Sequence, residues 1–149
     1  MPLDALCLTA VAAEIRAAVQ GGKIDKIYQP TRDEVVLYIR GPAGNVRLLL
    51  SANPGHPRAH LTDRSRENPE QPPMFCMLLR KHLQGARILE LNQPPLERIL
   101  DFRLETLDEL GDRVERRLVL EAMGRSANLL LLDGEGRIVD CTRRVDGDL

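Results

Sequence analysis

The stretch QPPLERILDFRLE, Gln93 to Glu105, decides how this chain reads. Taken with a period of two, it sets Leu100, Phe102 and Leu104 on one face, as a strand with one side on a core requires. Arg98 opens that same row, directly after Glu97 and behind Pro94-Pro95. A guanidinium on the apolar side of a strand costs on the order of a few kcal/mol unless it is paired or sits at the sheet's rim. On the residues alone, two readings stand. One is a structural ion pair at the strand's first residue, with Asp4 and Glu97 as candidate partners, although neighbours on a strand point to opposite faces. The other is an arginine held by acids at the mouth of a cleft, placed to meet a phosphate or a base edge. The ion pair is the simpler of the two.

Outward from this strand the pattern stays β-like. ARILELNQ precedes it, and ERRLVLEAM, NLLLLD and GRIVDC follow, separated by turns at Leu110-Gly111-Asp112 and Asp133-Gly134-Glu135-Gly136. Further upstream KIDKIYQP, EVVLYIR and VRLLLSA read as neighbouring antiparallel strands, the last two joined by a hairpin loop at residues 41–45. Two helices interrupt the strands. Asp4 followed by ALCLTAVAAEIRAAVQ and Gly21-Gly22 reads as a helix with an acidic cap and a glycine stop. Pro72-Pro73 opens MFCMLLRKHLQ, closed by Gly85, with Met74, Phe75, Met77, Leu78 and Leu83 toward the core and Arg80, Lys81 and Gln84 away from it. Between these lies a proline-rich loop with one short edge strand at Arg58 to Leu61. Short links between many strands predict an α+β domain built on a mostly antiparallel sheet or sandwich with two main helices.

The 149 residues suit one domain, and 43% hydrophobic against 29% charged residues exclude a disordered or membrane-embedded chain. With aromatics at only 3%, aliphatic residues must build the core. No apolar run suffices to cross a bilayer and the start lacks a signal-peptide pattern, so a cytoplasmic location is expected. Cys7, Cys76 and Cys141 are far apart and odd in number, which suggests small buried hydrophobes rather than disulfides or metal ligands. Net charge is −1, yet residues 56–88 carry a local +3 and residues 89–115 a local −5, which predicts a polarised surface.

Catalytic constellations are sparse. Pro57 lies between His56 and His60 and forbids the helix that would turn their spacing into a metal site. No glycine pattern cradles a nucleotide, and Ser51 and Ser126 lack a nucleophile's setting. Pro2, if exposed as an N-terminal amine, would offer Schiff-base chemistry like that of some DNA glycosylases, but Leu3 stands where an adjacent carboxylate is needed. The basic segment around Arg58, Arg80 and Lys81 is either a solvated face or a phosphate-contacting surface, and charge alone does not choose. Few aromatics stand ready there to stack on bases.

A resemblance adds to this. IDKIYQP, LLLSANPGHPRAHLT, NPEQPPMFCMLLRKHLQGARI, LERIL and EAMGRSANLLLLD together resemble the N-terminal domain of the NFACT proteins, across essentially the whole chain. Bacterial members, once described as fibronectin-binding proteins, are ribosome quality-control factors. The resemblance implies a fold similar to the N-terminal domain of formamidopyrimidine-DNA glycosylases, and a longer protein from which this chain is an excised domain. It implies binding to the large ribosomal subunit carrying an obstructed peptidyl-tRNA, and recruitment of alanyl-tRNA for template-free alanine tailing. The family's acid–arginine pair falls on Glu97-Arg98 and its early aspartate on Asp4, with Glu97 standing where the family usually has aspartate. The expected role is RNA binding by Asp4, Glu97 and Arg98, with weaker phosphate contacts from Arg58, Arg80, Lys81 and Arg125. No catalysis, cofactor, metal, membrane or DNA partner is expected. The rival expectations are a Pro2-dependent glycosylase or lyase, and a fibronectin-binding adhesin, which the missing secretion signal disfavours.

Overall fold

The computed structural model describes residues 5–64, 67–94 and 97–143. Among them nine strands form one sheet, in the order β4-β3-β2-β1-β5-β6-β7-β8-β9, every neighbouring pair antiparallel. The strands are β1 (Lys23–Thr31), β2 (Glu34–Gly41), β3 (Gly44–Ser51), β4 (Arg58–Thr62), β5 (Arg87–Asn92), β6 (Ile99–Leu107), β7 (Arg113–Glu121), β8 (Asn128–Leu132) and β9 (Ile138–Cys141). Two α-helices accompany them, α1 (Ala5–Val19) and α2 (Met74–Leu83). The α+β class and the antiparallel sheet expected from the sequence are both present.

The alternation read in the opening stretch is real. Leu100, Phe102 and Leu104 are all at most 1% exposed. They meet Leu118 and Leu120 of β7, Leu37 and Ile39 of β2, and Leu8, Ile15 and Val19 of α1 in one core. Burying each such side chain contributes about 1.5–3 kcal/mol, so this shared core outweighs any surface contact described below.

One sheet can share one core only by curling. β9 stands five strands from β1, which would be about 24 Å in a flat sheet at ~4.8 Å per strand. Yet Arg143, just past β9, places Nη2 3.2 Å from Asp33 Oδ2 in the β1–β2 turn. The bend lies at the β1–β5 junction, where the strands pair only at Lys23 and Arg87. Beyond it β1 has a free edge, and α2 covers it: the Ile27 carbonyl, without a strand partner there, accepts from Arg80 Nε at 2.9 Å.

Three local expectations need correction. On α2 the buried residues are Phe75, Cys76, Leu79 and Leu83, whereas Met74 and Met77 are 64% and 52% exposed. The helix is rotated relative to the expected face because its Cys76 and Arg80 side must reach β1. Of the cysteines, Cys76 is buried, but Cys7 is exposed and Cys141 only half-buried. The β2–β3 loop is tighter than expected, since Gly41 pairs directly with Gly44. Gly41 is required by its neighbour, because a Cβ there would lie 2.1 Å from the Ala18 carbonyl oxygen of α1.

Candidate nucleic-acid interface

Arg98 ends the connection from β5 to β6. The Glu97 N–H donates to the Pro94 carbonyl at 3.1 Å and the Glu97 carbonyl accepts from Gln93 Nε2 at 3.1 Å, which ties Glu97 back to Gln93 and Pro94. The Arg98 carbonyl then accepts from the Ala122 N–H at 2.8 Å, extending the β6–β7 ladder by one step. The backbone of Arg98 is thus fixed while its side chain is half-buried and Glu97 is exposed. Among the described residues no carboxylate forms an ion pair with Arg98, Glu97 included. Asp4 and Pro2 lie outside the described residues.

Arg125 belongs to the same end of the sheet. It is exposed in the 3-10 turn Gly124–Ser126 that follows β7, three residues beyond the Ala122 that holds Arg98. Lys81 does not join them. It approaches Glu109 at 3.8 Å, in the β6–β7 turn at the far end of β6. At ~3.3 Å per strand residue, that end is about 30 Å from Arg98.

The other two basic candidates are engaged within the fold. Arg58 Nη2 lies 3.0 Å from Glu34 Oε2, with side chains 24% and 9% exposed. Glu34 also accepts from Thr31 Oγ1 at 3.0 Å, so this pair anchors the ends of β1, β2 and β4. Arg80 pairs with the Ile27 carbonyl and lies over the Tyr28 ring, 5.5 Å from its centroid. A guanidinium so placed contributes by stacking and hydrogen bonding as well as by charge.

Sequence reasoning missed an aromatic cluster on the outward face of β1 and β2. The chain's two tyrosines, Tyr28 and Tyr38, meet edge to face with centroids 5.1 Å apart. Arg47 lies over Tyr38 at 4.8 Å, so each ring carries a guanidinium. The signal was present in the alternation of EVVLYIR, which turns Val36 and Tyr38 away from Val35, Leu37 and Ile39. The pairing with Tyr28 depends on strand register, which local alternation does not determine. Beside this cluster runs a groove of about 1100 Å³ over β2, β3 and β4.

Cys76 and His82 are among the side chains whose titration is shifted. Burial pushes the Cys76 thiol up, against a downward pull from Arg80. Burial pushes the His82 imidazole down, reinforced by Arg116 and Lys81. Among the described residues no three His, Cys, Asp or Glu side chains could hold a metal ion. No helix there is long and apolar enough to cross a membrane.

Fold and site together define an antiparallel α+β module that offers arginines at one strand end and on one outer face. The family model for NFACT N-terminal and middle domains matches residues 4–149, and the chain belongs to this family. It is 40% identical to the Rqc2 homolog RqcH of Bacillus subtilis over 93% of its own length and 24% of that protein's. It is 30% identical to ribosome quality control complex subunit 2 of Saccharomyces cerevisiae, covering 96% of this chain and 13% of that one. Among solved structures, the N-terminal part of the fibronectin/fibrinogen-binding protein of Streptococcus suis superposes with a TM-score of 0.93 at 41% identity, over 96% of this chain and 54% of that one. The chain therefore spans about a quarter of the length of its RqcH relative.

Proposed function

We propose that this chain is the RNA-engaging module of a ribosome quality-control factor. In this reading the whole protein binds large ribosomal subunits with obstructed peptidyl-tRNA and recruits alanyl-tRNA, so that alanine is added to the stalled chain without a template. The module positions tRNA and catalyses nothing itself; peptidyl transfer belongs to the ribosome. Family membership supports the class of process. The observation that carries the site is the arginine at the head of β6, its backbone held by β7 and its guanidinium without a carboxylate partner among the described residues.

Such a guanidinium is ready to take a phosphate, and a charge-assisted contact of this kind is stronger than a neutral hydrogen bond. Arg125 at the same sheet end adds a second cation, and Asp4 and the exposed Glu97, which does not pair with Arg98, complete the proposed RNA-binding set. Lys81 contributes only long-range attraction from the opposite end. The fold kinship with formamidopyrimidine-DNA glycosylases remains part of the reading, without their Pro2 chemistry. In the full-length protein, Arg98→Ala is expected to abolish alanine tailing while the isolated domain keeps its thermal transition. Normal tailing by a folded Arg98→Ala protein would contradict the role.

A further inference from the structure

The groove over β2–β4 is separate from the strands that hold Arg98 and Arg125. Its floor contains Val36 and Leu49, cross-strand partners that face outward by alternation yet are only 4% and 3% exposed. Tyr38 and its stacked Arg47 flank them. At the rim are Arg40 and Arg64, both exposed. Four arginines against two aspartates line the groove, in a chain whose net charge is −1. The opposing acids restrain this charge weakly: Arg40 is 3.7 Å from Asp25 with both side chains largely in water, a geometry worth little. Arg58 is held by Glu34, and Arg47 donates to the Asp63 carbonyl at 3.4 Å.

Each class of occupant can be weighed against these features. The groove, of about 1100 Å³, lies open along β2, β3 and β4 rather than closing around a small molecule. A polymer segment suits it better. An acidic peptide satisfies the rim but has no planar faces for the guanidinium-backed ring. A duplex satisfies the rim too, but its bases are stacked inside and offer no face to the guanidinium-backed ring. An unpaired RNA segment supplies both phosphates and base faces, which is the pairing that single-strand sites use.

We propose that this groove binds an unpaired RNA segment, with a base stacked on the Arg47 guanidinium that lies over Tyr38 and phosphates on Arg40 and Arg64. The choice of RNA as the polymer rests on the function proposed above; the anionic, stacking character of the ligand rests on the groove itself. The test is fluorescence anisotropy of the chain with a short labelled oligouridylate, and in parallel with tRNA. Tyr38→Leu is expected to weaken oligouridylate binding by about ten-fold or more, the scale of removing one base stack. The double variant Arg40→Gln/Arg64→Gln, whose exposed side chains the core does not need, is expected to lower the salt slope by about 0.7 for each single-strand phosphate no longer neutralised. Arg103→Gln, on the opposite half of the sheet, is expected to leave binding unchanged.

Wild-type affinity in both groove variants would overturn the proposal. Absence of oligouridylate binding by a chain that still binds tRNA would overturn the groove and spare the Arg98 reading, whereas absence of both would overturn the two together. Displacement of the labelled RNA by polyglutamate as readily as by unlabelled oligouridylate would assign the groove to acidic peptides instead.

Discussion

The outward faces of the two halves of the sheet follow the same alternation and end in opposite conditions. On β5–β7, Arg103 reaches Glu90 at 3.1 Å and Glu115 at 2.8 Å, while Arg117 Nε reaches Asp101 at 3.1 Å. Both of these cations meet acids on neighbouring strands, so the centre of this face is settled within itself. On β1–β4, Arg58 is held closely by Glu34 and Arg40 loosely by Asp25, while Arg47 and, from α2, Arg80 rest on tyrosine rings. The local −5 of residues 89–115 is therefore partly cancelled across the ladder, since β7 continues into Arg116 and Arg117. A run of like charge in the sequence is thus a poor guide to surface potential when strands of opposite charge lie beside it. What distinguishes the faces is the cross-strand partner of each arginine.

The largest effect that tests this contrast acts on what the faces share. Phe102→Ala, at the centre of the common core, is expected to cost about 3–5 kcal/mol. Circular dichroism and tyrosine fluorescence should then fall in one transition, because Tyr28 and Tyr38 report the half that does not contain Phe102. Two separate transitions would mean the halves fold independently. A smaller effect separates the faces. Asp101→Ala strands a half-exposed Arg117 and is expected to cost about 1–2 kcal/mol, read as a shift in the denaturant midpoint with no change in RNA affinity. An unchanged midpoint would reduce the ladder to a screened surface feature.

The smallest expected effect concerns His82, at the end of α2. Its imidazole is held below its usual range, chiefly by burial, so the folded protein binds this proton less readily than the unfolded chain. Stability from this source is complete above the unfolded pKa of about 6.5 and is lost as pH falls below it toward the depressed value. His82→Gln should flatten that part of the pH–stability curve. An equal acid slope in both proteins would show that other groups set it.

Much of this fold was legible in the sequence because its strands declare themselves by alternation and its turns by glycine. The row Leu100, Phe102, Leu104, the stop at Gly21-Gly22 and the turn at Leu110-Gly111-Asp112 all stand where the residues indicate. Less legible were features that depend on elements remote in sequence. The rotation of α2 follows from the unpaired edge of β1, and the engagement of Arg58 follows from Glu34, 24 residues away. The Tyr28–Tyr38 contact follows from a register containing bulges. For the site, the local pattern singled out Arg98 as anomalous, and the fold shows why it can be tolerated: it precedes the first residue of β6, at the sheet's end rather than in its middle.

The central claim is that Arg98 grips RNA from that end. The most direct measurement is a salt titration of tRNA binding by the wild-type chain and Arg98→Ala, with unfolding curves to verify that both are folded. The account predicts weaker binding by Arg98→Ala at every salt concentration and a log–log slope smaller by about one, as for one phosphate left without its cation. Superimposable titrations from two folded proteins would contradict it.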